Sequence, residues 1–153
     1  MPEDLSTEEY LPIFVFGTLR PGQDNHRLFV RGKTVRELPA ALPGHAMFVL
    51  GQYPCITEDA GDGDVTGHLL YLLPELFREA LAALDDLEGY RPGDASCDYV
   101  RVQRTAHALP AEGPAERVSA WVYVAGAPAR ALRSACPPVP GGDWLVYLAE
   151  GHR

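Results

Sequence analysis

Residues 74–90 form the one long segment with the pattern of an amphipathic helix, and every other apolar run in the chain is short. Pro74 suits the first helical position, Glu75 suits the positive end of the helix dipole, and Gly89 is a natural stop. The other runs are β-like and are separated by turn-forming residues. One main helix among many strands predicts an α+β fold, with a mixed, barrel-like β-sheet and flanking helices.

The remaining elements can be placed from the apolar pattern. Residues 13–16 (IFVF) predict a strand buried on both faces, because the run is wholly apolar and ends at Gly17. One or two helical turns are predicted within 25–31, and a short helix within 127–135. Further strands are predicted at 34–38, 45–50, 55–57, 65–73, 99–106 and 117–125, with a polar lead-in at 1–11 and a hairpin turn at 59–64.

Size, charge and cysteine content narrow the classes of function. A chain of 153 residues, 46% hydrophobic, predicts a single domain spanning 1–153 with a real core. Its net charge of −8 argues against a nucleic-acid partner, which needs a basic face. No secretory signal or membrane segment is predicted. Three distant cysteines and unpaired histidines predict no disulfide framework and no metal site, so we expect a cytoplasmic protein.

The segment FGTLRPG, residues 16–22, is the first candidate for chemistry. A buried strand that runs into Gly17 leaves backbone amides at its end with no Cβ to block a ligand. Such amides can hold a carboxylate or a developing oxyanion. On this segment alone, an ordinary strand-to-turn glycine is the simpler interpretation.

Glu88 is the second candidate. It shares a helix face with Phe77, Leu81 and Leu84, at spacings of four, three and four residues. A carboxylate there lies at the end of the core-facing stripe, so burial, the helix dipole and nearby carboxylates should raise its pKa. A raised pKa suits general base and then general acid catalysis. The alternative is a frayed last turn with Glu88 in water.

Other polar and aromatic residues have simpler interpretations. Asp85 and Asp86 fall off the apolar stripe, so we expect them to be solvated or to accept a local backbone hydrogen bond. The aromatic residues of the late strands and of the C-terminal segment are most simply core residues. The alternative for Tyr123 and Trp144 is a position on the wall of a ligand pocket.

Five short motifs, in order along the chain, together resemble the gamma-glutamylcyclotransferase-like superfamily, which includes plant avirulence-induced proteins. Residues 14–22 are similar to its YGSL or YGTL loop, and LDDLEGY, residues 84–90, to its LDxxEG segment. Residues 99–101 resemble its Tyr-x-Arg strand and 120–124 (AWVYV) the next strand. GGDW, residues 141–144, resembles a C-terminal motif of bacterial members.

The resemblance implies a mixed β-barrel with flanking helices and a cavity beside the FGTL loop, residues 16–19. Gly17, Thr18 and Leu19 would hold a gamma-glutamyl group, and Glu88 would accept the proton. Phe16 departs from the family pattern, because the family usually has Tyr at this position. The missing hydroxyl removes one possible hydrogen bond to a ligand.

The implied activity is a gamma-glutamyl cyclotransferase that releases 5-oxoproline from a small gamma-glutamyl amine or peptide. The α-amine of the substrate attacks its own gamma-carbonyl, so no metal or cofactor is required. Glu88 would act as general base and then as general acid. The alternative is a non-catalytic small-ligand-binding domain that keeps the cavity. Phe16 favours this alternative, and Glu88 favours the enzyme.

Overall fold

The structure is a computed structural model and describes residues 9–59 and 63–151. The helices and strands follow the predicted order as far as residue 132, and a further helix at 144–149 was not predicted. They are β1 (Ile13–Val15), α1 (Asp24–Phe29), β2 (Thr34–Pro43), β3 (His45–Leu50), β4 (Tyr53–Glu58), β5 (Asp64–Leu72), α2 (Phe77–Glu88), β6 (Tyr99–Ala108), β7 (Glu116–Ala125), α3 (Ala127–Leu132) and α4 (Trp144–Ala149). The predicted lead-in at 1–11 and turn at 59–64 lie partly outside the described residues.

Five strands close into a barrel in the order β1-β5-β2-β6-β7. The sheet is mixed, because β1 pairs antiparallel with β5 and parallel with β7. Strands β3 and β4 form a separate two-stranded hairpin. The α+β class and the barrel-like mixed sheet are therefore confirmed. The described helices are all too short or too polar to cross a membrane.

Strand β2 is longer than predicted, since it continues past Leu38 to Pro43. Pro39 and Pro43 lie in this extension, although proline cannot donate to a strand ladder. However, β2 pairs along its length with β5, whereas β6 pairs with it only at Ala40 and Ala41. The missing N–H of Pro39 therefore lies at the edge of the short β2–β6 pairing.

Helix α2 begins after a 3-10 turn at Pro74–Leu76 and ends at Glu88, where Gly89 caps it with φ 72°. Its apolar face packs on the outside of the barrel, against Ile13 and Leu70. Burying each large apolar side chain stabilises the fold by about 1.5–3 kcal/mol. Because the helix ends beside the end of β1, Glu88 and the FGTL loop are brought to the same place.

Candidate active site

A cavity of about 350 Å³ lies between the end of β1, the C-terminal end of α2 and the β3–β4 hairpin. All the predicted site residues except Trp144 line it. The hairpin and α1 also contribute residues that the sequence patterns did not single out. The lining residues are 14–19, Asn25, Tyr53, Pro54, Leu87, Glu88, Tyr99 and Tyr123.

Glu88 is the charged side chain among the described residues that line the cavity. It is the last residue of α2, and its side chain is half-buried. Burial raises the pKa of Glu88 from 4.5 to about 7. The pKa is shifted in the predicted direction, and its cause is burial rather than the nearby carboxylates that were also expected to raise it. Near neutral pH this carboxyl can therefore take up a proton and give it back.

Asp85 corrects the expectation of a solvated carboxylate, because it is only 9% exposed. The Nε–H and Nη2–H groups of Arg101 donate to its two oxygens at 2.8 and 3.1 Å. The Tyr123 hydroxyl donates to Oδ1 at 2.6 Å. A buried charge needs such partners. The sequence signal that could have indicated this pair was Arg101, a charged residue within a predicted strand. Asp86 is exposed, as expected.

Arg101 is held between aromatic rings as well as by Asp85. Its guanidinium lies 4.6 Å from the ring centroid of Trp121 and 5.5 Å from that of Tyr90. Burial first, and the charge of Asp85 second, raise the pKa of the Tyr123 hydroxyl well above its ordinary value. Tyr123 therefore stays neutral, and it links the buried ion pair to the cavity wall.

The FGTL loop is fixed through its carbonyl groups and its threonine hydroxyl. The carbonyl of Gly17 accepts from the amide of Arg20 at 3.1 Å, and that of Thr18 from the amide of His26 at 3.1 Å. Asn25 donates to the Thr18 hydroxyl at 2.6 Å. In the described part of the chain, the amides of residues 17–19 donate to no backbone carbonyl outside the strand ladders. The loop therefore offers donors to a ligand.

The aromatic wall of the cavity includes Phe16 and Tyr99. Phe16 is 8% exposed and its ring stacks on Phe14, with centroids 6.4 Å apart. The Tyr99 hydroxyl donates to the carbonyl of Pro54 at 3.0 Å and so fixes the β3–β4 hairpin at the mouth of the cavity. Tyr53, beside Pro54, is 58% exposed.

The requirement for glycine at position 17 comes from close packing, since its backbone is not left-handed. A Cβ on Gly17 would lie 2.9 Å from Cγ of Pro54, closer than side chains pack. The hairpin therefore approaches the loop where only glycine leaves room.

Gly17→Val should push Pro54 away and narrow the cavity, so KM for a turned-over compound should rise about tenfold or more. Gly17→Ala adds only the Cβ and should give a smaller change in the same direction. Steady-state kinetics on both variants checks this, with thermal melting to confirm folding. Wild-type binding in the valine variant would place the ligand elsewhere.

Trp144 does not line the cavity, so the alternative of a position on the pocket wall is wrong for this residue and the core interpretation is right. It is 3% exposed, belongs to the apolar cluster that includes Phe14 and Leu42, and stacks on Tyr147 with centroids 5.5 Å apart. It begins helix α4, whose N-terminus is capped by the side chain of Asp143. The ring is a core residue because the helix start turns it toward the barrel.

Residues 9–59 and 63–151 bring together no group of three or more side chains suited to a metal ion.

A profile of the family described as gamma-glutamyl cyclotransferase, AIG2-like, matches residues 13–146. The chain belongs to this family. The cavity, the FGTL loop and Glu88 all lie within the matched residues.

Relatives of this AIG2-like chain agree with the assignment. A Vibrio cholerae protein named "Putative gamma-glutamylcyclotransferase" is 37% identical over 76 residues, which is 50% of this chain and 60% of that protein. The chain thus matches less than two thirds of that relative's length. An AIG2-like protein from Mus musculus has the same fold, with a TM-score of 0.66, 22% identity, and coverage of 87% of this chain and 88% of the mouse protein.

A more distant fold relative is a yeast gamma-glutamyl cyclotransferase specific to glutathione. Its TM-score is 0.55 at 14% identity, and the alignment covers 92% of this chain and 84% of the yeast chain. At these identities the two solved structures show that the fold is shared.

Proposed function

We propose that this protein is a gamma-glutamyl cyclotransferase that releases 5-oxoproline, with Glu88 as general base and then general acid. Family membership supports cyclotransferase activity in general. The observation that carries the proposal is one cavity that combines the Glu88 carboxyl, whose pKa is about 7, with amides of residues 17–19, which within residues 9–59 and 63–151 donate to no backbone carbonyl outside the strand ladders. Both parts are needed for ring closure at neutral pH.

The proposed reaction needs one proton acceptor and one anion site. The Glu88 carboxylate removes a proton from the substrate's α-ammonium group, and the freed amine attacks the gamma-carbonyl carbon. Amides of Gly17 and Thr18 hold the α-carboxylate or the tetrahedral oxyanion. The leaving nitrogen takes the proton from Glu88 as its bond to the intermediate breaks. The attacking nitrogen still holds two hydrogens and gives up the second as a proton, which the released amine takes up. The products are 5-oxoproline and the amine as its ammonium ion, and the carboxylate is restored.

The charge of the lining bears on the leaving group. Besides Glu88, the described lining residues are neutral, and several are aromatic. A leaving group with its own carboxylate would enter beside Glu88 without a basic partner, which weakens binding. Neutral or cationic amines face no such cost.

We therefore expect gamma-glutamyl derivatives of simple amines to exceed gamma-glutamyl dipeptides in kcat/KM by about tenfold or more. Incubation with a matched panel, with 5-oxoproline measured by mass spectrometry, checks this order. A higher kcat/KM for gamma-glutamyl dipeptides would contradict the expectation based on the neutral cavity lining. If no compound yields 5-oxoproline but several bind, the non-catalytic ligand-binding alternative holds.

The pH dependence follows from the pKa of Glu88. As a general base this carboxyl must be ionised, so kcat/KM should rise with pH through an ascending limb near pH 7. A pH profile of 5-oxoproline formation at low substrate concentration measures that limb. A limb near pH 4.5 would mean that the reacting carboxyl is solvated.

A further inference from the structure

Arg20 is a buried cation behind the FGTL loop, and the proposed reaction does not use it. It is 7% exposed and does not line the cavity. Its Nε–H donates to Nδ1 of His68 on β5 at 3.2 Å, and its Nη1–H donates to Oδ1 of Asp143 at 3.0 Å. The guanidinium therefore lies between the barrel wall and the start of α4.

The His68 contact fixes the tautomer of the ring. Because Nδ1 accepts from Arg20, this nitrogen carries no proton and the imidazole is neutral. Burial first, and the charge of Arg20 second, lower the pKa of His68. His68 pairs with Val15 in the β1–β5 register, and Val15 lies two residues before Gly17. The contact thus lies beside the point where β1 gives way to the loop.

The GGDW turn, residues 141–144, holds the Asp143 side chain that accepts from Arg20. Oδ1 of Asp143 also accepts from the amides of Leu145 and Val146, which lie in the first turn of α4. Gly142, with φ 66°, lies so close to β5 that a Cβ there would be 2.1 Å from the carbonyl oxygen of Asp64. Its own carbonyl accepts from the amide of Thr66 at 2.8 Å. The turn is therefore attached rigidly to β5.

We propose that Arg20 is a positioning residue, which ties the FGTL loop to β5 through His68 and to the GGDW turn through Asp143. The Arg20 amide closes the loop onto the Gly17 carbonyl, so anchoring this side chain limits how far residues 17–19 can move. This role also gives the GGDW motif a function, because its Asp143 holds Arg20 while its Trp144 lies away from the cavity. The effect of this positioning on substrate binding rests on the proposed cyclotransferase activity.

Arg20→Met tests the anchor, because methionine keeps an apolar stem and removes the charged donors. KM for the best gamma-glutamyl compound should rise about tenfold, with kcat within about threefold of wild type. Arg27→Met is the matched control, since Arg27 pairs with Asp24 at the exposed surface of α1. Its KM should match wild type. A lower kcat with unchanged KM in Arg20→Met would overturn the proposal.

Asp143→Asn tests the same contact from the other side. Asparagine is a good helix cap and keeps an oxygen for the amides of Leu145 and Val146, but it removes the charge that faces Arg20. KM should rise in the same direction and by less than in Arg20→Met. An unchanged KM in Asp143→Asn would overturn the part assigned to the GGDW turn.

Amide hydrogen exchange separates this proposal from the proposed function. The amides of Arg20 and His26 are hydrogen-bonded to the loop carbonyls, so they should exchange faster in Arg20→Met and not in Arg27→Met. Amides in α2 should be unaffected in both variants. If wild type releases no 5-oxoproline, the proposed function fails while this result still decides the anchor. Unchanged exchange at both amides would overturn it.

Discussion

Glu88→Gln is expected to reduce 5-oxoproline formation by about two to four orders of magnitude, the usual contribution of acid–base catalysis. Glutamine keeps the shape of the side chain but can neither remove the α-ammonium proton nor return it to the leaving nitrogen. KM should change little, because the loop amides that hold the substrate are untouched. Single-turnover and steady-state assays of 5-oxoproline measure the loss.

The stability of Glu88→Gln provides an independent check. The folded-state pKa of Glu88 is raised to about 7, so the folded protein binds this proton more tightly than the unfolded chain does. The contribution of Glu88 to stability is therefore present at low pH and falls as pH rises from about 4.5 to about 7. Glu88→Gln lacks this dependence and should gain in relative stability over wild type as pH rises.

Glu79→Gln is the matched control, because Glu79 lies exposed on the same helix. It makes the same charge change outside the cavity and should keep wild-type activity. Full activity in Glu88→Gln would remove Glu88 from the reaction. Equal loss in both variants would point to a general effect of charge on the helix.

The position of Glu88 could be predicted because it depends on local spacing. Residues four and seven before it are Leu84 and Leu81, which are buried against the barrel, so the helix period directs Glu88 to the same side. The raised pKa followed from that position. The loop could be predicted for a similar reason, since a wholly apolar run ending at Gly17 indicates a buried strand with an open end.

The surroundings of Asp85 could not be predicted, because they depend on residues that are distant in sequence. Arg101 is 16 residues away and Tyr123 is 38 residues away, and the barrel brings them together through β6 and β7. Asp85 was predicted to lie off the apolar stripe, but it is four residues after Leu81 and lies at the flank of the buried face. Tertiary pairing decides its surroundings, because a strand arginine facing the helix needs a carboxylate.

The contribution of the β3–β4 hairpin to the cavity is another long-range effect. The sequence predicts a strand only at 55–57, whereas β4 begins at Tyr53, and nothing in the pattern says that Pro54 packs against Gly17. The contact between the GGDW turn and the FGTL loop is also long-range and could not be predicted from the sequence. The aromatic residue of the turn suggested a pocket wall, whereas the contact that reaches the loop comes from Asp143.

Arg101→Met should be the most destabilising change at this site. It leaves the carboxylate of Asp85 buried without its cationic partner, since the side chains of Arg101 and Asp85 are 2% and 12% exposed. Breaking a buried ion pair on one side costs about 3–5 kcal/mol. For a chain of this size that corresponds to a fall in melting temperature of roughly ten degrees. Denaturant unfolding and calorimetry measure it.

The double variant Asp85→Leu/Arg101→Met separates the cost of an unpaired charge from the value of the pair itself. Replacing both partners by apolar groups removes the uncompensated carboxylate, so much of the lost stability should return. The Tyr123 hydroxyl then loses its acceptor, and activity should fall below wild type because this side chain lines the cavity. Arg117→Met, at an exposed position on β7, is the control for the charge change. If Arg101→Met is as stable as Arg117→Met, the buried pair does not hold α2 against the barrel.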